Sequence, residues 1–160
     1  LTQYVKCLSK LEFPVVIMPC TGRSEHLVEV LSKIPTSKNV TIKPIGYISS
    51  EEQMCEFFDV CEVLILKPGP SSVREALARF KYGPGNLRKV LLDKTSKVQP
   101  WEEDNVSQCT TLRVGLPVYN IDHTDHLLRQ ILNQPHKKVL KMPDLQSPYA
   151  IVKEIEKLTN

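Results

Sequence analysis

Between Pro14 and Tyr119 the chain alternates short apolar runs with segments whose apolar residues recur at helical spacing. That rhythm restricts the fold more than any other feature. Strands joined through helices run parallel, because a tight turn cannot return a chain in its original direction. The strand-like runs cover residues 14–18, 40–45, 63–66, 89–92 and 116–119. The helical stripes between them are equally regular: Leu27, Val30, Leu31 and Ile34, then Met54, Phe57 and Phe58, then Ala76, Leu77 and Phe80. Residues 103–113, 123–133 and 148–158 read as three further helices, and Tyr4, Val5, Leu8 and Leu11 as one before the first strand.

Local signals place several helix starts. Ser24 reads as an N-cap, and Ser50 with Gln53 and Ser72 with Glu75 read as capping boxes. The expectation is an α/β fold: a Rossmann-like three-layer domain on a parallel sheet of five or six strands, with residues 1–160 as one domain. Residues 81–88 and 93–100 are expected to be exposed loops, and residues 134–147 a polar connection before the last helix.

Composition narrows the function classes. Lys and Arg number 21 against 18 Asp and Glu, a net charge of +3 without a basic run, so no nucleic-acid partner is expected. The longest apolar runs are too short to span a bilayer. Five cysteines, without C-x-x-C pairs or zinc spacing, suit unpaired thiols of a cytoplasmic protein. Leu1 in place of a methionine is read as the start of a fragment of a longer two-domain protein.

In parallel α/β sheets, ligands sit beyond the carboxyl ends of the strands. Three loops are therefore of interest: residues 19–24, 67–72 and 93–103. The strongest signal is Lys67-Pro68-Gly69-Pro70-Ser71-Ser72-Val73-Arg74-Glu75-Ala76-Leu77. Gly69 lets a ligand approach the backbone, and the following helix start aims N–H groups at an anion. Ser71 and Ser72 offer hydroxyls to a phosphate, and Glu75 a carboxylate to a ribose diol. The same Ser72–Glu75 pair also reads as a plain capping box. Gly22 and Arg23 repeat the geometry after the first strand, with Arg23 either neutralising a diphosphate or simply exposed. Trp101, in the loop before Glu102, either stacks on a ligand or pins the loop. His123 and His126 are spaced to share a metal but have no third ligand, so no metal site is expected.

Taken in order, these elements resemble one family. Gly22-Arg23-Ser24-Glu25-His26-Leu27 is similar to the G-R-N-x-x-L turn in the carboxy-terminal half of monogalactosyldiacylglycerol synthase and its relatives. Those relatives include processive diacylglycerol glucosyltransferases and the N-acetylglucosaminyltransferase that completes lipid II. Gly46-Tyr47-Ile48 resembles their G-F-V element, and the 67–77 stretch their K-x-G-P-x-T-I-x-E-A-L. The run Pro100-Trp101-Glu102-Glu103-Asp104-Asn105-Val106 resembles G-Q-E-x-x-N-V.

The resemblance implies the donor-binding half of a glycosyltransferase with two facing Rossmann-like domains, the GT-B type. It implies UDP-sugar as donor substrate, no metal or other cofactor, and a lipid-linked acceptor at a membrane surface. Ile48 would lie near the uracil, and Glu75 would bind the ribose. Arg23, Ser71 and Ser72 would face the phosphates, with Gly22 and Gly69 giving them room. Glu102 and Asn105 would face the donor sugar. No catalytic residue is expected in this chain, since the family's base belongs to the missing amino-terminal acceptor domain, joined in cis or as a separate subunit. The departures from the family pattern are Trp101 for its glutamine, Pro100 for its glycine, and Asp104 at a small-residue position. Surplus residues at 82–88 and 93–98 add to them. A UDP-sugar 2-epimerase half and a non-catalytic module on the same fold are the alternatives.

Overall fold

Every strand pairing in the computed structural model, which describes residues 1–135, is parallel. The chain runs α1 (Thr2–Leu8), β1 (Val15–Ile17), β2 (Cys20–Gly22), α2 (Glu25–Ser32), β3 (Val40–Ile42), β4 (Ile45–Gly46) and α3 (Glu51–Val60). It continues through β5 (Val63–Leu66), α4 (Pro70–Tyr82), β6 (Lys89–Asp93), α5 (Pro100–Thr111) and β7 (Gly115–Val118). A 3-10 turn at Ile121–His123 then leads into α6 (Thr124–Leu132). The fold is α/β, as the alternation predicts. The strands do not form one hydrogen-bonded sheet of five or six, however, but three ladders: β1 with β3, β2 with β4, and β5-β6-β7.

Prolines explain two of those ladders. The expected strands at 14–18 and 40–45 each meet a proline, Pro19 and Pro44, that has no N–H to donate. Hydrogen bonding nevertheless continues past them, from Lys43 N–H to Ile17 O at 2.8 Å and from Ile45 N–H to Pro19 O at 2.9 Å. Cys20 opposite Ile45 keeps the offset of Val15 opposite Val40, so β2 and β4 prolong the β1–β3 pair. The expected 19–24 loop is thus partly strand. The register slips only at Gly22, whose φ of +58° suits a residue without Cβ.

The three-stranded sheet is apolar on both faces. Val90, Leu91 and Leu92 of β6 are fully buried. Val90 and Leu92 join Val73 and Leu77 of α4 and Val106 and Cys109 of α5. Leu91 joins Tyr4 and Leu8 of α1 and Leu128 and Ile131 of α6. Successive side chains of a strand point to opposite faces, so one strand serves both clusters. Pro117 in β7 fits a sheet edge, where a missing donor costs least.

Helix starts depart from the sequence reading in two places. Ser24 and Ser50 cap α2 and α3, accepting from Leu27 N–H at 3.2 Å and Gln53 N–H at 3.4 Å. But α4 begins at Pro70, two residues before Ser72, and Ser72 caps nothing. Proline's fixed φ at the first helical position suits that earlier start. Likewise α5 begins at Pro100, not at Glu103, so Trp101 and Glu102 stand on a helix and not in a loop. Lys81 and Tyr82 belong to α4, and Leu87 is buried, so the 81–88 loop is neither as long nor as exposed as expected. The helix expected at 148–158 and most of the 134–147 connection lie outside the described residues.

Candidate functional site

Helix α4 opens without a side-chain cap. Its N-cap is Gly69, and the first internal bond runs from Val73 N–H to Gly69 O at 3.1 Å. The N–H groups of Ser71 and Ser72 lie ahead of that bond and have no intrahelical partner. Glu75 is therefore not the third residue of a capping box. It sits exposed in the second turn, on the same face as Ser71 and Ser72 by i,i+4 and i,i+3 spacing. The plain-capping reading of Ser72 and Glu75 falls away for that reason.

The second turn of α5 meets the loop before α4. The Asn105 side-chain amide donates to Pro68 O at 2.8 Å. That single bond ties residues 67–69 to a helix that sequence reading had associated with them only by motif order. Glu102, by contrast, is engaged locally. Its carboxylate accepts from Gln99 N–H at 2.7 Å, closing the turn that starts α5. The expectation that Glu102 faces a sugar thus meets a competing bond. Glu103, the next residue, pairs with Lys94 Nζ at 2.5 Å. Lys94 also lies over the Tyr119 ring, 5.3 Å from its centre.

A second group forms at the carboxyl end of β2. Thr21 Oγ1 donates to Ile45 O at 3.1 Å and fixes β2 on β4. Arg23, on the exposed turn after Gly22, stacks over the Tyr47 ring at 4.4 Å. Ile48 follows, half-buried. Arg23 and Tyr47 are thus brought together, as are Pro68 and Asn105. Met18, just past β1, and Leu66, the end of β5, pack against the same apolar cluster that holds α4 and α5 on the sheet.

Sequence reasoning missed the Arg23–Tyr47 stack, the Asn105–Pro68 bond and the Lys94–Glu103 pair. The first two join residues far apart in the chain, for which spacing gives no signal. Asp93 shows how the next loop is held: its carboxylate accepts from Thr95 N–H at 3.0 Å and Thr95 Oγ1 at 2.7 Å. Burial works upward on its pKa, but these bonds outweigh it and leave Asp93 below the usual carboxylate range. The same carboxylate, after burial, helps push the Tyr4 hydroxyl's pKa well up.

His123 and His126 line one open groove of about 470 Å³ with Pro117, Tyr119, Asn120 and Leu127. Among the described residues no group of three or more His, Cys, Asp or Glu is placed to hold a metal ion. No helix among them is long and apolar enough to cross a membrane. All five cysteines are free, with Cys61 and Cys109 buried and Cys20 and Cys55 exposed. The expectation of unpaired thiols in a protein core fits Cys61 and Cys109 better than Cys20 and Cys55.

Comparison with protein-family models and with curated proteins finds no match to the chain. The functional reading therefore stands on the residues themselves and on the resemblance of their motifs.

Proposed function

We propose that this chain is the donor-binding domain of a glycosyltransferase, one Rossmann-like half of a GT-B pair, which holds a UDP-sugar for transfer to a lipid-linked acceptor. The observation that carries this reading is the bond from Asn105 to Pro68. It sets the second turn of α5 against the loop that leads into the uncapped start of α4, where free N–H groups suit a diphosphate.

Each residue then has a chemical task. The free N–H groups and hydroxyls of Ser71 and Ser72 donate to the diphosphate oxygens, and Gly69 lets them come close. Arg23 adds a full positive charge as the UDP leaves, the role a metal plays in other transferases. Its stack on Tyr47 removes rotamer freedom that binding would otherwise have to remove. Glu75, exposed and free of any cap, accepts from the ribose hydroxyls. The acceptor half and its catalytic base belong to another domain, so the chain alone binds donor and does not turn it over. The setting is the cytoplasmic face of a membrane, reached peripherally.

A second reading, a non-catalytic module that retains the fold, is favoured by one observation. One Glu102 carboxylate oxygen accepts from Gln99 N–H within its own turn, a helix-capping task that needs no ligand. Isothermal calorimetry with UDP separates the two. Saturable binding at sub-millimolar UDP supports the donor domain; no heat at millimolar UDP leaves the module.

A further inference from the structure

Trp101 is the chain's single tryptophan, and 59% of it is exposed on the first turn of α5. An indole left this open gives up a large share of the burial that usually holds tryptophan in a fold. Its position is specific. Trp101 and Asn105 are four residues apart on one helix and share a face. Asn105 is bonded to the Pro68 carbonyl, so this is the face of α5 that meets the 67–69 loop. The carboxylates beside it each have one oxygen engaged locally: Glu102 closes the turn on Gln99, and Glu103 is paired with Lys94. Asp104 and Asn105 line a shallow groove that runs on along α5 past Ser107, Gln108, Thr111 and Leu112.

We infer that Trp101 is the residue through which this site holds the sugar of its donor, by stacking on the apolar C–H face of a neutral hexose. The inference rests on the donor-domain reading. A hexopyranose presents hydroxyls around its rim and C–H bonds on its faces, so an aromatic plane takes the ring by shape. A carboxylate reads individual hydroxyls and separates epimers sharply, because a missing partner strands a buried polar group. With one Glu102 oxygen held in its cap and the aromatic plane of Trp101 beside it, the site distinguishes a hexose from no hexose better than it distinguishes one hexose from its C4 epimer.

The full chain, titrated with UDP, UDP-glucose and UDP-galactose, tests this by calorimetry and by fluorescence, since all indole emission comes from Trp101. UDP-glucose is expected to change that emission more than UDP does, with the two sugar donors within about threefold of each other in affinity. W101A is expected to weaken UDP-glucose by about fivefold or more relative to its effect on UDP, with W101F restoring most of the loss. Equal effects of W101A on UDP and UDP-glucose overturn the inference. So does a sugar contribution lost in E102Q and kept in W101A. If wild-type chain binds no UDP at all, the donor-domain reading itself fails, a result distinct from either.

Discussion

The Asn105 side chain donates to the Pro68 carbonyl at 2.8 Å, joining the second turn of α5 to the loop before α4 across 37 residues of chain. Pro68 is fully buried, so its carbonyl has given up water and depends on this donor. Asn105→Ala leaves that acceptor without a partner. Stability should fall by about 1–2 kcal/mol, read as a lower urea midpoint at unchanged slope. Asn105→Asp should cost more, since it sets a carboxylate against a carbonyl. An alanine variant unfolding at the wild-type midpoint would show that the bond holds nothing together.

The buried thiols make stability depend on alkaline pH. Burial raises Cys61, with Cys20 adding to it, and burial raises Cys109, each to about 11. Both are raised above the ordinary thiol value, so the folded state favours the protonated form. Their contribution is whole below about pH 9 and is lost as pH climbs toward 11 and past it. Urea midpoints should therefore decline across that window, while thiolate absorbance of the folded protein lags behind that of the unfolded chain. Coincident titrations of the two states would contradict the burial of these cysteines.

How much of this was legible in the sequence depends on the range of the interaction. Val63–Leu66 matches its predicted strand because a short run of β-branched and leucine residues needs only its neighbours to be recognised. Ser24 and Ser50 were readable as caps for the same reason. The start of α4 was misplaced because Ser72–Glu75 satisfies a capping box on paper, whereas Pro70 lets the helix begin earlier. The strand at 40–45 was drawn through Pro44, which interrupts it. At the candidate site, single residues could be named, but no spacing rule brings Tyr47 under Arg23 or Asn105 onto Pro68. Such pairs exist only once the strands between them are paired.

Gly115 opens β7 where α5 ends. A Cβ at this position would stand 2.7 Å from the Cys109 Cβ and 3.1 Å from Val90 Cγ2. Neither neighbour can swing aside, since one is fixed to the helix backbone and the other is packed in β6. Gly115→Ala should destabilise by about 1–3 kcal/mol and lower Tm accordingly. A Tm equal to wild type would mean that α5 shifts freely on the sheet. That outcome would also weaken the placement of Asn105, which the same helix carries.

Glu75 separates a binding role from a structural one more sharply than the sequence allowed. Its exposure and its place in the second turn of α4, outside any capping box, leave folding little use for its charge. A carboxylate accepting from two ribose hydroxyls makes charge-assisted bonds, and Glu75→Gln replaces one of its acceptor oxygens with a donor. UDP affinity should then fall by about tenfold, while Tm stays within the small range of exposed substitutions. Loss of affinity with a matching loss of Tm would point to a structural role for Glu75. Unchanged affinity would remove the ribose contact, and with it the task assigned to the exposed face of α4.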